Sequence, residues 1–233
     1  SSRYHRRSVQ TPTPSSSSPR SLGSSARLRG GARALLLTCA AEARSEWGYT
    51  SDILARAFRT HRSLGSKDRK LVADTLYGLV RLDRRLEAIV DELVARGRGR
   101  KEDLSPVARN EARLCVYEAR EGAEEGDAAL VDEAVAELGR ILRLPVSKEA
   151  VLAEDAGLGK RAGLEREALR LSYPTWLIER FVNDLGQSAG LALAAAMNRR
   201  APLTVHANLV KTTRDDLRAR LAEEGVTAHA TTF

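Results

Sequence analysis

Cysteine is almost missing from this chain: 233 residues hold two, Cys39 and Cys115, far apart and inside helical patterns. That excludes a disulfide framework and fits a reducing compartment. Aromatic residues make up 4% of the chain while hydrophobic residues make up 42%, so its core must be aliphatic. The longest apolar run, around Leu191–Met197, falls well short of the roughly 20 residues a membrane span needs. His5, His61, His206 and His229 keep no metal-ligand spacing with one another or with the cysteines. No paired-carboxylate or Ser/His/Asp arrangement stands out. Acid is absent from residues 1–33, which carry Arg3, Arg6, Arg7, Arg20, Arg27, Arg29 and Arg33.

What is present is unevenly placed charge. The net charge is +7, and setting aside those seven arginines leaves 31 of the 38 basic residues against 31 acidic ones. Residues 56–101 hold 13 Lys or Arg against 6 Asp or Glu, whereas residues 102–171 hold 10 against 16. A basic half beside an acidic half suggests one face for a polyanion and another for a protein partner or for solvent.

Residues 1–31 are rich in Ser, Pro and Arg with little to bury, and are expected to be a disordered basic tail. Their composition also fits an organellar leader, an alternative to a cytoplasmic location. From Ala32 the pattern turns helical, with Leu36, Cys39, Ala40, Ala43 and Trp47 on one face. Ile53, Leu54, Ala57 and Phe58 mark a second helix. Ser66 is the expected N-cap of a third helix bearing Val72, Leu76, Leu79 and Val80. Leu86, Ile89, Val90 and Leu93 mark a fourth, followed by a glycine-broken basic loop, Arg96–Lys101. Ser105-Pro106 reads as an N-cap with proline at N1, opening a helix that runs to about Ala119. Gly122–Asp127 reads as an acidic turn. Val131, Val135, Leu138 and Leu142 then lie on a helix that Pro145 ends.

The expected organisation is therefore a tail over 1–31, a helical bundle over 32–145, a linker with a helix over 146–171, and a different style over 172–233. In that last part Trp176–Leu185 and Ser188–Met197 read as short helices, with Trp176 in the core. Leu203–Ala207 alternates as a strand does, Thr213–Asp216 is a capping box, and Val226 begins a second strand. This α+β segment is incomplete at Phe233, because one such unit cannot bury its own surface.

Two stretches carry a family resemblance. Ser66–Leu86, with Asp68-Arg69, Tyr77-Gly78 and the run Arg81, Arg84, Arg85, is followed by Leu104–Tyr117 and Ala128–Val135. Together these resemble the NusB-like helical domain at the N-terminus of the RsmB (Sun/Fmu) ribosomal RNA cytosine-C5 methyltransferases. Leu171-Ser-Tyr-Pro-Thr-Trp-Leu177 and Met197-Asn-Arg-Arg-Ala-Pro-Leu-Thr-Val-His-Ala-Asn208 are similar to that family's signatures at the entry to its methyltransferase half. There are departures. Val151–Gly159 does not match the helix that usually ends the helical domain, and Gly126-Asp127 stands where a proline is common. The family's glycine-rich S-adenosylmethionine loop and its Pro-Cys and Thr-Cys dipeptides are expected downstream of Phe233.

The resemblance implies a mostly α fold, a NusB-like bundle followed by a truncated α+β segment. It implies an RNA-binding part of an enzyme that transfers methyl groups from S-adenosylmethionine to a cytosine of ribosomal RNA. The cofactor is expected of the full-length protein and not of this chain, whose catalytic residues are expected to lie elsewhere. Ribosomal RNA is the expected partner, and a monomer the expected state. Arg69, Lys70, Arg81, Arg84 and Arg85 are candidate RNA contacts, since arginine forks match phosphate geometry; salt bridges to Asp68, Asp74 and Asp83 on a solvated face are the competing reading. For Arg199 and Arg200, RNA contact and salt bridging between lobes stand level. Thr38-Cys39 spells the catalytic dipeptide, but Cys39 lies on an apolar stripe, so it reads as core. A stand-alone NusB-type antitermination factor is the alternative function, and a helical module binding protein through its acidic 102–171 face is a third.

Overall fold

A computed structural model describes residues 28–45, 48–98, 104–199 and 203–231. Within them lie eleven helices, α1 to α11. Two units are distinct, dividing between Lys160 and Arg161.

The first unit begins with α1 (Gly30–Ser45), α2 (Thr50–Thr60), α3 (Ser66–Arg81) and α4 (Asp83–Arg98). On α1, Ala32, Leu35, Leu36, Cys39 and Ala40 are buried at helical spacing. On α3 the buried stripe is Val72, Leu76 and Leu79. Gly65 is the N-cap of α3, so Ser66 is its first helical residue instead of the expected cap. Helix α4 continues through Arg98, so the basic segment expected as a loop is helical at its start; residues 99–103 lie outside the described residues.

The hub is α5 (Pro106–Glu125), which packs against α1, α3 and α4 and carries α6 (Ala128–Leu142) and α7 (Lys148–Leu152). The Ser105 hydroxyl accepts from the Ala108 amide at 3.2 Å, the cap expected beside Pro106. Burial extends round α5 to Ala112, Leu114, Cys115, Val116 and Ala119, as a central helix requires. It also runs past the expected end, through Glu125, and closes at Gly126 with φ 77°, a left-handed cap. Gly122 was expected in a turn, yet as a small residue it lets Leu130 of α6 pack against the helix. Arg143, with φ 53°, ends α6 before Pro145 is reached.

Two expectations about boundaries change here. Leu28, placed in the tail by composition, is buried in the first core, and α1 starts at Gly30. The core also extends past residue 145: Val151 of α7 and Ala156 belong to it. Gly157 follows at φ 74°, so close to α4 that a β-carbon would lie 2.6 Å from the Ile89 amide nitrogen. Its own amide donates to the Glu92 carboxylate.

The second unit contains α8 (Gly163–Arg170), α9 (Thr175–Leu185), α10 (Gln187–Met197) and α11 (Arg214–Glu223). Its small core joins Ala168, Leu171, Ile178 and Ala194, with Phe181 and Leu191 packed against them. Gly190 allows α10 to lie against the Phe181 backbone. The Thr213 hydroxyl caps α11 through the Asp216 amide at 3.1 Å, as the sequence predicts. Trp176 is corrected: it is 66% exposed, because Ile178, two residues on, is the position of α9 that faces the core. No strand occurs among the described residues. Leu203–His206 and the chain after Val226 lack ladder partners there, and an alternating pattern cannot supply its own neighbour.

Candidate nucleic-acid interface

On α3, Lys67, Lys70, Asp74, Tyr77 and Arg81 follow one another at three- and four-residue steps, so they share one outer stripe. Lys67, Lys70 and Tyr77 are exposed, Tyr77 by 42%. Arg81 ends the stripe, half-buried, and Arg84 is exposed in the first turn of α4.

The remaining candidates have other surroundings. Arg69 is half-buried: its Nε donates to the Leu64 carbonyl at 2.9 Å and its guanidinium lies 5.6 Å from the centre of the Phe58 ring. It ties the α2–α3 turn together. Arg85 is 4% exposed and donates to the Glu154 carbonyl at 2.7 Å, which places it inside the unit and away from any phosphate at the surface. Arg199, in the second unit, is exposed just after α10, and Arg200 lies outside the described residues.

Beside the stripe is an ionic network that charge counting does not reveal. Asp83, Glu87 and Asp91 of α4 sit at four-residue steps and meet arginines from two other helices. Arg44 of α1 reaches Asp83 and Glu87, each at 2.9 Å. Arg109 of α5 reaches Asp91 at 2.7 Å and also Glu87. Arg113, with 3% of its side chain exposed, reaches Asp83 at 3.2 Å and Glu87 at 3.3 Å. Burial pushes the Asp83 carboxyl above its ordinary range; Arg44 opposes that shift and Glu87 adds to it. Asp83, Glu87 and Asp91 of the basic segment are thus neutralised by arginines from α1 and α5. The repeat of acids at 83, 87 and 91 was the available signal, but their partners are distant in sequence.

Neither cysteine is placed for chemistry. Cys39 is 1% exposed, and burial, reinforced by Glu42, pushes its thiol up, away from the thiolate a nucleophile needs. Cys115 is fully buried. Among the described residues there is no group of three or more metal-ligating side chains, and no helix is long and apolar enough to cross a membrane.

In the second unit the two halves of the signature are held together. The Asn198 side chain donates to the Leu171 carbonyl at 2.7 Å, which ties the first residues of the one stretch to the first residue of the other. Ser172 there takes a left-handed conformation, φ 62°.

Residues 173–233 match the family described as the ferredoxin-like domain of RsmF/B-like methyltransferases, which sets the class the chain resembles. More narrowly, the resemblance is to the RsmB (Sun/Fmu) type. The chain is 28% identical over 193 residues to a probable ribosomal RNA small subunit methyltransferase B from Synechocystis, covering 78% of this chain. It spans 42% of that relative's length.

Proposed function

We propose that this chain is the RNA-gripping part of an S-adenosylmethionine-dependent ribosomal RNA cytosine-C5 methyltransferase, acting in the cytoplasm. In this reading the first unit is a NusB-like bundle that holds RNA backbone, and the second leads into the methyltransferase half. The observation that carries it is the exposed Lys67, Lys70 and Tyr77 on one stripe of α3, with half-buried Arg81 at its end and exposed Arg84 beside it, in a chain whose residues 173–233 match an RsmF/B-like domain. Cations spaced along a helix meet successive phosphates, and an exposed tyrosine between them offers a face on which a base can stack. Arg199 and Arg200, in the second unit, are RNA-contact candidates in their own right.

S-adenosylmethionine supplies the electrophilic methyl group in this chemistry. The described residues do not fit it: no strand among them leads into a glycine-rich turn, and Gly225 stands alone at the end of α11. The match over 173–233 disfavours a stand-alone antitermination factor, which would need only the first unit.

Filter binding with structured ribosomal RNA, transfer RNA and single-stranded DNA tests the reading. Retention of structured ribosomal RNA above the other two is expected. Equal retention of all three would reduce the surface to a non-specific polyanion binder, and no retention would reject RNA binding.

A further inference from the structure

Helices α3 and α5 pack together at Gly78, where α3 has no side chain. A β-carbon there would overlap the Tyr117 phenol, so the ring from α5 lies directly on the α3 backbone. Gly78 stands one turn after Asp74 and one turn before Arg81, and side chains on a helix lean toward its N-terminus. Arg81 therefore reaches back over Gly78 toward the phenol. On α5, Glu121 follows Tyr117 by one turn and accepts a hydrogen bond from its hydroxyl. One phenol thus stands among Asp74, Arg81 and Glu121, and the Arg81 charge acts on both the phenol and Glu121.

Arg81 is also the half-buried end of the α3 stripe, so a phosphate and the Glu121 carboxylate compete for one guanidinium. A charged Glu121 draws Arg81 inward, and a neutral one does not. Burial, with Glu124 and Glu125 close by on α5, pushes the Glu121 carboxyl above its ordinary range, against the pull of Tyr117 and Arg81. The other elements packed on this part of α5 bring groups that are engaged elsewhere or apolar. Arg33 of α1 reaches Glu118 at 2.8 Å, and Arg120 of α5 donates to the Val151 carbonyl of α7 at 2.9 Å. Helix α6 meets Gly122 through Leu130. A phosphate arriving at Arg81 adds a negative charge that raises the Glu121 carboxyl further. By linkage, the RNA complex then holds more protons than the free chain.

We propose that Glu121 is a positioning residue for the RNA grip: as a carboxylate it holds Arg81 back against Tyr117, and on taking a proton it releases Arg81 to a phosphate. RNA binding by α3 is therefore coupled to proton uptake at Glu121 and tightens as pH falls. The inference rests on the phosphate contact proposed above and gives that contact a pH control.

Affinity of the whole chain for a single-stranded RNA, followed from about pH 8 down to about pH 5.5 at fixed salt, tests it. Histidine titrates near neutrality and His61 is exposed just before α3, so His61→Gln is the background of every chain compared. Folding is checked by circular dichroism at each pH. Affinity in that background should rise by roughly two- to fivefold toward the acid end, the scale of one surface ion pair. Adding Glu121→Gln should give, at the alkaline end, the affinity its parent reaches only at the acid end, with the rise gone. Arg81→Ala should bind more weakly and also lose the rise, and it serves if the glutamine variant does not fold. A parent profile without the rise, or the same rise in folded Glu121→Gln or Arg81→Ala, would overturn the coupling while leaving the RNA grip in place. No retention of RNA at any pH would overturn the grip and the coupling with it, so the two failures are distinguishable.

Discussion

Glu121 lies near the C-terminal end of α5, the negative end of the helix dipole, where a further negative charge is unwelcome. Its carboxyl is pushed up from the ordinary range by burial first and then by Glu124 and Glu125; Tyr117 and Arg81 only partly oppose this. Because the folded-state value is raised, the protonated form is favoured in the fold. The corresponding stability is present at acid pH and is lost as pH rises through the raised value. Glu121→Gln should therefore raise the melting temperature by a few degrees at about pH 8 and change little at about pH 3.5, where the wild-type carboxyl is already protonated. The amide oxygen can still accept from Tyr117. A lower melting temperature at the higher pH would mean that attraction to Arg81 outweighs burial. Arg85 teaches the converse lesson: in the sequence it is one of a run of arginines, and only packing places its guanidinium on the Glu154 carbonyl.

Among the elements, the segment after α7 comes closest to α4 at Gly157. Gly157 combines a left-handed backbone with contact against the Ala88–Ile89 peptide, so alanine is strained both by φ and by overlap. Gly157→Ala should destabilise the first unit by about 2 kcal/mol, read from chemical denaturation of the whole chain. An unchanged midpoint would show that the segment does not contribute to the first unit's stability. The helices themselves were legible. The stripes on α1 and α3 and the caps at Ser105 and Thr213 are local signals, set by neighbours within one turn. Three features were not legible because they depend on distant residues. Helix α5 outruns its expected end because α6 packs over Gly122, Leu28 is drawn into the core despite a tail-like composition, and Trp176 is turned outward by the register of Ile178. The strands expected at Leu203–Ala207 and Val226 need hydrogen-bonding neighbours that alternation cannot specify. Of the candidate interface, Lys70, Arg81 and Arg84 could be read from the sequence. The ionic network beside it could not, since Arg44, Asp83 and Arg113 come from three helices.

For the molecule as a whole, the division of labour predicts that RNA is held without cofactor. Calorimetry of this chain with millimolar S-adenosylmethionine should give no saturable heat. Saturable binding, or methyl transfer to ribosomal RNA that disappears in Cys39→Ser, would contradict the structural role given to that buried thiol. The central claim is that α3 and the start of α4 grip RNA through its phosphates, and salt dependence measures this most directly. Affinity for a single-stranded RNA is followed against salt for the wild type and for the triple variant Lys70→Ala, Arg81→Ala, Arg84→Ala, with folding checked by circular dichroism. The log–log slope should become shallower by roughly 0.7 for each phosphate no longer neutralised, about 2 for the three, and affinity should fall alike across RNA sequences. An unchanged slope with unchanged affinity would contradict the account.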